Sequence, residues 1–328
     1  MKKTLLALAV ATVSTSALAA GNIYDDGTTA FNVKGEIDTY LSTRKNEVNG
    51  QEVAKNEADI DLWAKIQIDA THKLNDDVSL FGSFEVENGG GFGYNDSGEN
   101  EVKTDDLYFG AYIGQNWGVA VGEVGDFGDS LDAITIDNTN EGYGFADDLL
   151  EEGLESGGHG ISVKGDFDQL VVIADAYLDD NEDNDVGYGV SAQYAFNDMF
   201  TVGASYQDQG TRTYDYGELE YDILGVAARF NVDNFAAAVQ YITSEANDTD
   251  IDNIGAALSY QIQDARLYTS FGFTDIDSDD DANYYTVGAD YAFSSNVLAF
   301  VEYSAVEFDV ADVKDEDELV LAGVYYTF

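Results

Sequence analysis

In the stretch Val186-Gly187-Tyr188-Gly189-Val190-Ser191-Ala192-Gln193-Tyr194-Ala195-Phe196, large or apolar side chains alternate with small or polar ones. Successive side chains of an extended strand point to opposite faces, so this period of two predicts one apolar and one hydrophilic face. The short connection Asn197-Asp198-Met199 follows, and the pattern then resumes. Ile254, Ala256, Leu258, Tyr260 and Ile262 alternate with Asn253, Gly255, Ala257, Ser259 and Gln261; Tyr285, Val287, Ala289, Tyr291 and Phe293 alternate with Tyr284, Thr286, Gly288, Asp290 and Ala292.

The connections alternate too. Short ones carry turn chemistry: 197–199, 231–234, 263–265 and 294–296. Long ones are acidic: 179–185, 208–219, 244–251, 275–283 and 309–317. Carried through the chain, the pattern gives eight long connections, the first from near Thr43, and seven short ones, which join sixteen strands. Short and long in turn is the arrangement of an up-and-down meander whose two ends face different compartments.

The chain has 328 residues, 14 Lys and Arg against 64 Asp and Glu, a formal charge of −50, no Cys and no Pro. Absence of proline suits a fully paired backbone. Absence of cysteine removes disulfides, thiolate metal sites and cysteine nucleophiles. A surface this acidic repels phosphates, which argues against nucleic acid as a partner. With 45% hydrophobic and 13% aromatic residues the chain is not simply disordered.

Met1-Lys2-Lys3, the apolar run Leu5–Val13 and Ala17-Leu18-Ala19 predict a secretory signal peptide over 1–19, with the mature chain at 20–328. Past that point the longest apolar run, Leu319–Tyr326, is too short for a membrane-spanning helix. Two rows of aromatics mark the strand ends. Tyr194, Phe196, Phe200, Phe230, Phe235, Tyr260, Tyr291 and Phe293 lie near short turns; Tyr206, Tyr221, Tyr241, Tyr284, Tyr285 and Phe308 lie near long connections. Such rows are the interfacial girdles of a membrane barrel. The expectation is an all-β, transmembrane, antiparallel up-and-down β-barrel of sixteen strands, its apolar face toward lipid.

The sequence resembles the general porins of Gram-negative outer membranes over 1–328. The resemblance rests on the terminal strand Leu321-Ala322-Gly323-Val324-Tyr325-Tyr326-Thr327-Phe328, the mature start Ile23-Tyr24-Asp25-Asp26-Gly27 and the first strand Val33-Lys34-Gly35-Glu36. Leu74–Gly82 and Trp117–Gly122 add to it. It implies a homotrimer in the cell outer membrane, each subunit with a water-filled pore, and a terminal Phe328, with Tyr326, read by the outer-membrane assembly machinery. It also implies an inward-folded third loop, here about Val124–Gly157, whose acids Asp126, Asp129, Asp132, Asp137 and Glu141 narrow the pore. Further acids follow at Asp147, Asp148, Glu151, Glu152 and Glu155. In the family such acids face bases on the wall. Lys65 and Lys164 fall at two wall positions, but Glu36 and Asp105 stand where two more bases are expected, and the family's Pro-Glu-Phe-Gly-Gly-Asp loop motif is absent.

The functional expectation is a weakly cation-selective channel for passive diffusion of small hydrophilic solutes. Negative lining charge enriches cations. Alternatives are a sugar-specific porin, with Tyr40, Trp63, Phe81, Tyr108 and Tyr112 as an aromatic track, and a non-channel adhesin. No cofactor is expected. Asp275–Asp281 starts like a calcium loop, but Asp280 replaces the required Gly and Thr286 the closing Glu. Loose Ca²⁺ or Mg²⁺ association would bridge the acidic loops to one another or to lipopolysaccharide. His72 and His159 lack a serine at motif spacing, so enzyme chemistry is not expected.

Overall fold

The structure is a computed structural model. It describes residues 21–89, 102–142, 159–179, 181, 184–214, 217–247, 249–276, 280–310 and 313–328. The signal peptide expected over 1–19 and the acids at 147, 148, 151, 152 and 155 lie outside these residues.

Period-two alternation becomes strand throughout. The elements are β1 (Gly21–Asp25), β2 (Thr29–Val48), β3 (Gln51–Lys73), β4 (Val78–Gly89), β5 (Val102–Ile113), β6 (Trp117–Gly122), β7 (Gly160–Asp166) and β8 (Leu170–Tyr177). They continue as β9 (Gly187–Asn197), β10 (Phe200–Tyr214), β11 (Gly217–Val232), β12 (Phe235–Ala246), β13 (Thr249–Ile262) and β14 (Ala265–Ile276). The last three are β15 (Asp280–Ser294), β16 (Val297–Val310) and β17 (Val313–Thr327). From β2 onward each strand pairs antiparallel with the next, and β17 returns to pair with β2, so the sheet closes. Closure leaves no sheet edge exposed to lipid.

Seventeen strands make sixteen staves, because β1 and β17 share one. β17 pairs with Glu36–Val48 of β2, and β1 with Ala30–Val33 of the same strand. At the join, Phe328 and Gly35 exchange backbone hydrogen bonds of 2.9 and 2.8 Å. A side chain at residue 35 would put Cβ 2.5 Å from the Phe328 ring, so this glycine makes room for the terminal aromatic.

Burial is inverted relative to a water-soluble sandwich. Val190, Tyr194, Ile254, Leu258, Phe271 and Val287 are exposed on the outer face, whereas Ser191, Ser205, Gln207, Gln240, Ser270 and Ser304 are buried on the inner one. The outward apolar face matches a lipid-facing wall. Among the described residues no helix is long and apolar enough to cross a membrane.

Two expectations are corrected. The acidic connections are largely ladder. β2 and β3 run on to a two-residue turn at Asn49-Gly50, both at positive φ (50° and 72°). The pairs Ala246↔Thr249, Ile276↔Asp280 and Val310↔Val313 lie inside the expected loops, so in three other hairpins most of each expected loop is paired strand. Charge reads as loop, but a strand needs only paired backbone and a consistent period, and side chains beyond the lipid can be acidic. The second correction concerns the aromatic row near the long connections. Tyr241 and Tyr285 are exposed, but Tyr221 and Tyr284 are buried on the inner face, and Phe308 packs with them. Tyr284 and Tyr285 are adjacent, so they cannot share a face. The row near the short turns is exposed at all eight positions, from Tyr194 to Phe293.

Candidate functional site at the inner wall

β6 ends at Gly122, and the chain then runs across inner-face side chains. A 3₁₀ turn at Ser130–Ala133 starts it, capped by Asp129, which accepts from the Leu131 amide at 2.5 Å. Asp132 returns to the Asp129 amide at 3.3 Å and completes a capping box. Asp137 accepts from the Thr139 amide at 2.9 Å and its hydroxyl at 3.0 Å. Three of the five predicted constriction acids thus shape their own segment.

The partners of this segment follow the order of the staves. Ser162 of β7 donates to the Gly128 carbonyl at 2.7 Å, and Asp175 of β8 accepts from the Ser130 amide at 2.5 Å. Gly203 of β10 lies under Ala133, where a Cβ would come within 2.0 Å of the Ala133 carbonyl oxygen. Arg229 of β11 donates to the carbonyls of Ala133 (3.0 Å), Asp132 (3.2 Å) and Thr135. Ile134 and Ile136 pack with Ile223 and Ile242. On β14, Tyr268 accepts from the Asn140 side chain at 2.6 Å. Glu302 of β16 accepts from the amides of Asn140 (2.6 Å) and Glu141 (3.0 Å) and from the Tyr268 hydroxyl (2.8 Å). The Glu141 carboxylate accepts from Tyr325 of β17 at 2.6 Å and Tyr40 of β2 at 2.9 Å.

Burial raises the carboxyl pKa of Asp129, Asp137 and Glu141 above the usual range; the donors named above, and the Tyr177 hydroxyl that donates to Asp129, oppose the rise only partly.

The predicted wall residues separate. Lys164 donates to the Phe127 carbonyl at 3.2 Å. Lys65 lies 3.1 Å from Glu85 Oε1 and 5.4 Å from the Trp63 ring. Glu36 is buried opposite Lys65 in the ladder, and Asp105 is exposed. Asp126 is exposed, as is Asp132, and of the two it is Asp126 that lies against Asp106 of this wall. Tyr326 is exposed on the outer face near Phe328, their rings 5.8 Å apart. Of the aromatic track, Phe81 stacks on Phe127 at 5.3 Å and Tyr40 holds Glu141, so both are engaged by the segment.

Sequence reasoning missed Arg229, Arg266, Glu85 and Glu302. Parity was the available signal, since each lies on the hydrophilic stripe of its strand. Arg266 pairs with Asp290 at 2.6 Å and covers the Tyr268 ring at 4.3 Å. On β2–β5 the inner face carries Glu36, Asp38, Asp61, Asp69, Glu85, Glu87 and Asp106, against Lys34, Arg44, Lys65 and Lys103. All three lysines lie in ion pairs, with Asp69, Glu85 and Glu87 respectively. Acids are therefore in excess there.

A family model described as Gram-negative porin matches residues 4–311. Outer membrane porin PhoE of Salmonella typhimurium is 23% identical over 374 residues, and that of Klebsiella oxytoca 25% over 373, each covering both chains in full. Outer-membrane expressed OmpT of Vibrio cholerae superposes with a TM-score of 0.71 at 13% identity, over 94% of this chain and 100% of that one. Salmonella typhi OmpF, in a complex with daunomycin, gives 0.69 at 17% identity over 94% and 100%. An anion-selective porin from Comamonas acidovorans gives 0.70 at 11% over 92% and 100%. At these identities the structural likenesses carry the fold.

Proposed function

This chain belongs to the Gram-negative porin family, and we propose that its channel is weakly cation-selective and narrowed by residues 123–142. It is an outer-membrane β-barrel through which small hydrophilic solutes diffuse passively. A porin breaks no bond; it replaces hydrocarbon by water and polar side chains along the path, and bore and lining charge set what passes.

The observation that carries the sign of selectivity is the imbalance along the inner wall. Arg229 is engaged with carbonyls of the segment, Arg266 with Asp290, and Lys65 with Glu85, while Asp105, Asp106 and Asp126 gather beside that pair, so acidic side chains outnumber basic ones there. The fold does not dictate this sign, since a barrel of the same fold is described as anion-selective. The hydrogen bonds of residues 128–141 to inner-face side chains support the narrowing. We also propose export by the signal peptide, assembly as a homotrimer through recognition of the Phe328 strand, and contact of the acidic hairpins with lipopolysaccharide; one OmpT structure is of a trimer form.

Proteoliposome swelling tests the reading. Lysine and glutamate, solutes of similar size and opposite charge, should both enter faster than in protein-free vesicles, with lysine ahead. No acceleration for either solute overturns the channel, and glutamate entering faster overturns the sign.

A further inference from the structure

The ladder between β4 and β5 breaks its register at one place. Phe84 pairs with Leu107 and Val86 with Thr104, so Glu85 alone faces the two residues Asp105 and Asp106. This is a β-bulge, a device that re-aims a side chain out of alternation. Here it brings Asp105, which would otherwise point to the outer face, toward Glu85 beside Asp106. One carboxylate oxygen from each of the three lies within 4.8 Å of the others.

The second observation is Glu85 itself. Its side chain has no solvent exposure, and its Oε2 has no hydrogen-bond donor among the described residues, while Lys65 Nζ stands 3.1 Å from Oε1. A buried carboxylate oxygen without a donor is costly unless something cationic meets it. Glu123, at the end of β6, has a second such buried oxygen, Oε2, and lies near Asp105. Asp126 closes the group from the segment side, against Asp106.

We propose that Glu85, Asp105 and Asp106 form a divalent-cation site on the inner wall, of the hard, all-oxygen class that calcium prefers, with Asp126 as a further ligand from the segment. Oxygens bound to one calcium at about 2.3–2.6 Å lie no more than about 5 Å apart, so the three wall carboxylates reach one ion with little movement. Lys65 is the built-in competitor, because its ammonium holds the oxygen that the ion would share. Occupancy would tie the β4–β5 bulge to residue 126 and reduce the negative charge at that point of the wall. The site rests on local geometry and not on the pore's overall preference.

Calorimetric titration of the full folded protein in detergent with calcium chloride, and separately with magnesium chloride, tests it. The wild type should show saturable binding, tighter for calcium. Glu85→Gln and Asp106→Asn should each weaken calcium by about tenfold or more, through loss of a charged ligand. Lys65→Met should tighten it, a gain that misfolding cannot imitate. Asp281→Asn, on an outer acidic hairpin, should leave it unchanged. Absence of saturable binding, an unchanged affinity in Asp106→Asn, or no gain in Lys65→Met overturns the site. No salt gradient enters these measurements, so their failure would leave the proposed selectivity standing, and the converse holds.

Discussion

Two halves of the inner wall meet the segment after β6 in different ways. From β7 round to β17 the wall is covered. Ser162, Asp175, Arg229, Tyr268, Glu302 and Tyr325 all hold the segment, and Ile134 and Ile136 bring an apolar contact of their own. Among the described residues, β3–β5 meet the segment only near its start, where the Glu123 amide donates to the Leu107 carbonyl at 3.0 Å and Phe127 stacks on Phe81, and beyond that carboxylates gather around Lys65. Groups of the same chemical type thus do different work. Glu302 and Asp175 are structural because backbone amides point at them; Asp106 and Asp126 face each other at the wall with no backbone amide of the segment bonded to them among the hydrogen bonds described. Location relative to the segment, more than residue type, separates an anchor from a lining charge.

Breaking the covered half should have the largest effect. Arg229→Ala leaves the carbonyls of Asp132, Ala133 and Thr135 without their donor, and each buried acceptor left unmet costs about 1–3 kcal/mol. Hydrogen exchange across 130–138 should accelerate sharply and single-channel conductance should rise; unchanged exchange would remove Arg229 from the anchors. Glu302→Gln keeps an acceptor but loses its charge, so a smaller loss of about 1–2 kcal/mol in exchange protection at Asn140 and Glu141 is expected.

The cap gives a finer contrast. Asp129→Ala should cost about 1 kcal/mol of local stability, whereas Asp129→Asn keeps the acceptor and removes a buried charge, so it should cost far less. Equal losses in thermal unfolding would mean that the charge matters more than the cap.

The smallest effect is one of pH. Asp129 and Glu141 have folded-state pKa values above the ordinary carboxylate range because burial opposes their ionisation. A raised acid pKa means that ionisation weakens the packed state. Docking of the segment should therefore strengthen as pH falls from neutral through the folded values, and the gain should be complete near the unfolded carboxylate value of about 4. Exchange protection over 129–141, corrected for intrinsic rates, should be higher at mildly acidic than at neutral pH. Lower protection on acidification would contradict the assignment.

Most of the barrel was legible in the sequence because closure rests on repetition. The alternation at Val186–Phe196 recurs strand after strand, and one consistent period fixes both strand number and which face meets lipid. The acidic hairpin tips misled because Asp at 275, 281 and 309 looks like loop, although the backbone there is still paired. In the site, the acids of the segment were visible as composition, but their roles were not. Whether Asp129 caps a turn or lines a path depends on contacts with Leu131 and Tyr177, the latter 48 residues away. The bulge at Asp105-Asp106 was invisible for a related reason. It is a mismatch between two strands, and a single strand read alone carries no sign of it.

The acid-rich side of the wall around Lys65 is where the proposed selectivity arises, and reversal potential tests it most directly. With the purified protein in a planar bilayer under a tenfold KCl gradient at neutral pH, the predicted potential has the sign of potassium preference, and it should move toward zero in the double variant Glu85→Gln with Asp106→Asn. A potential of chloride sign in the wild type, or one that the double variant leaves unmoved, would contradict the account.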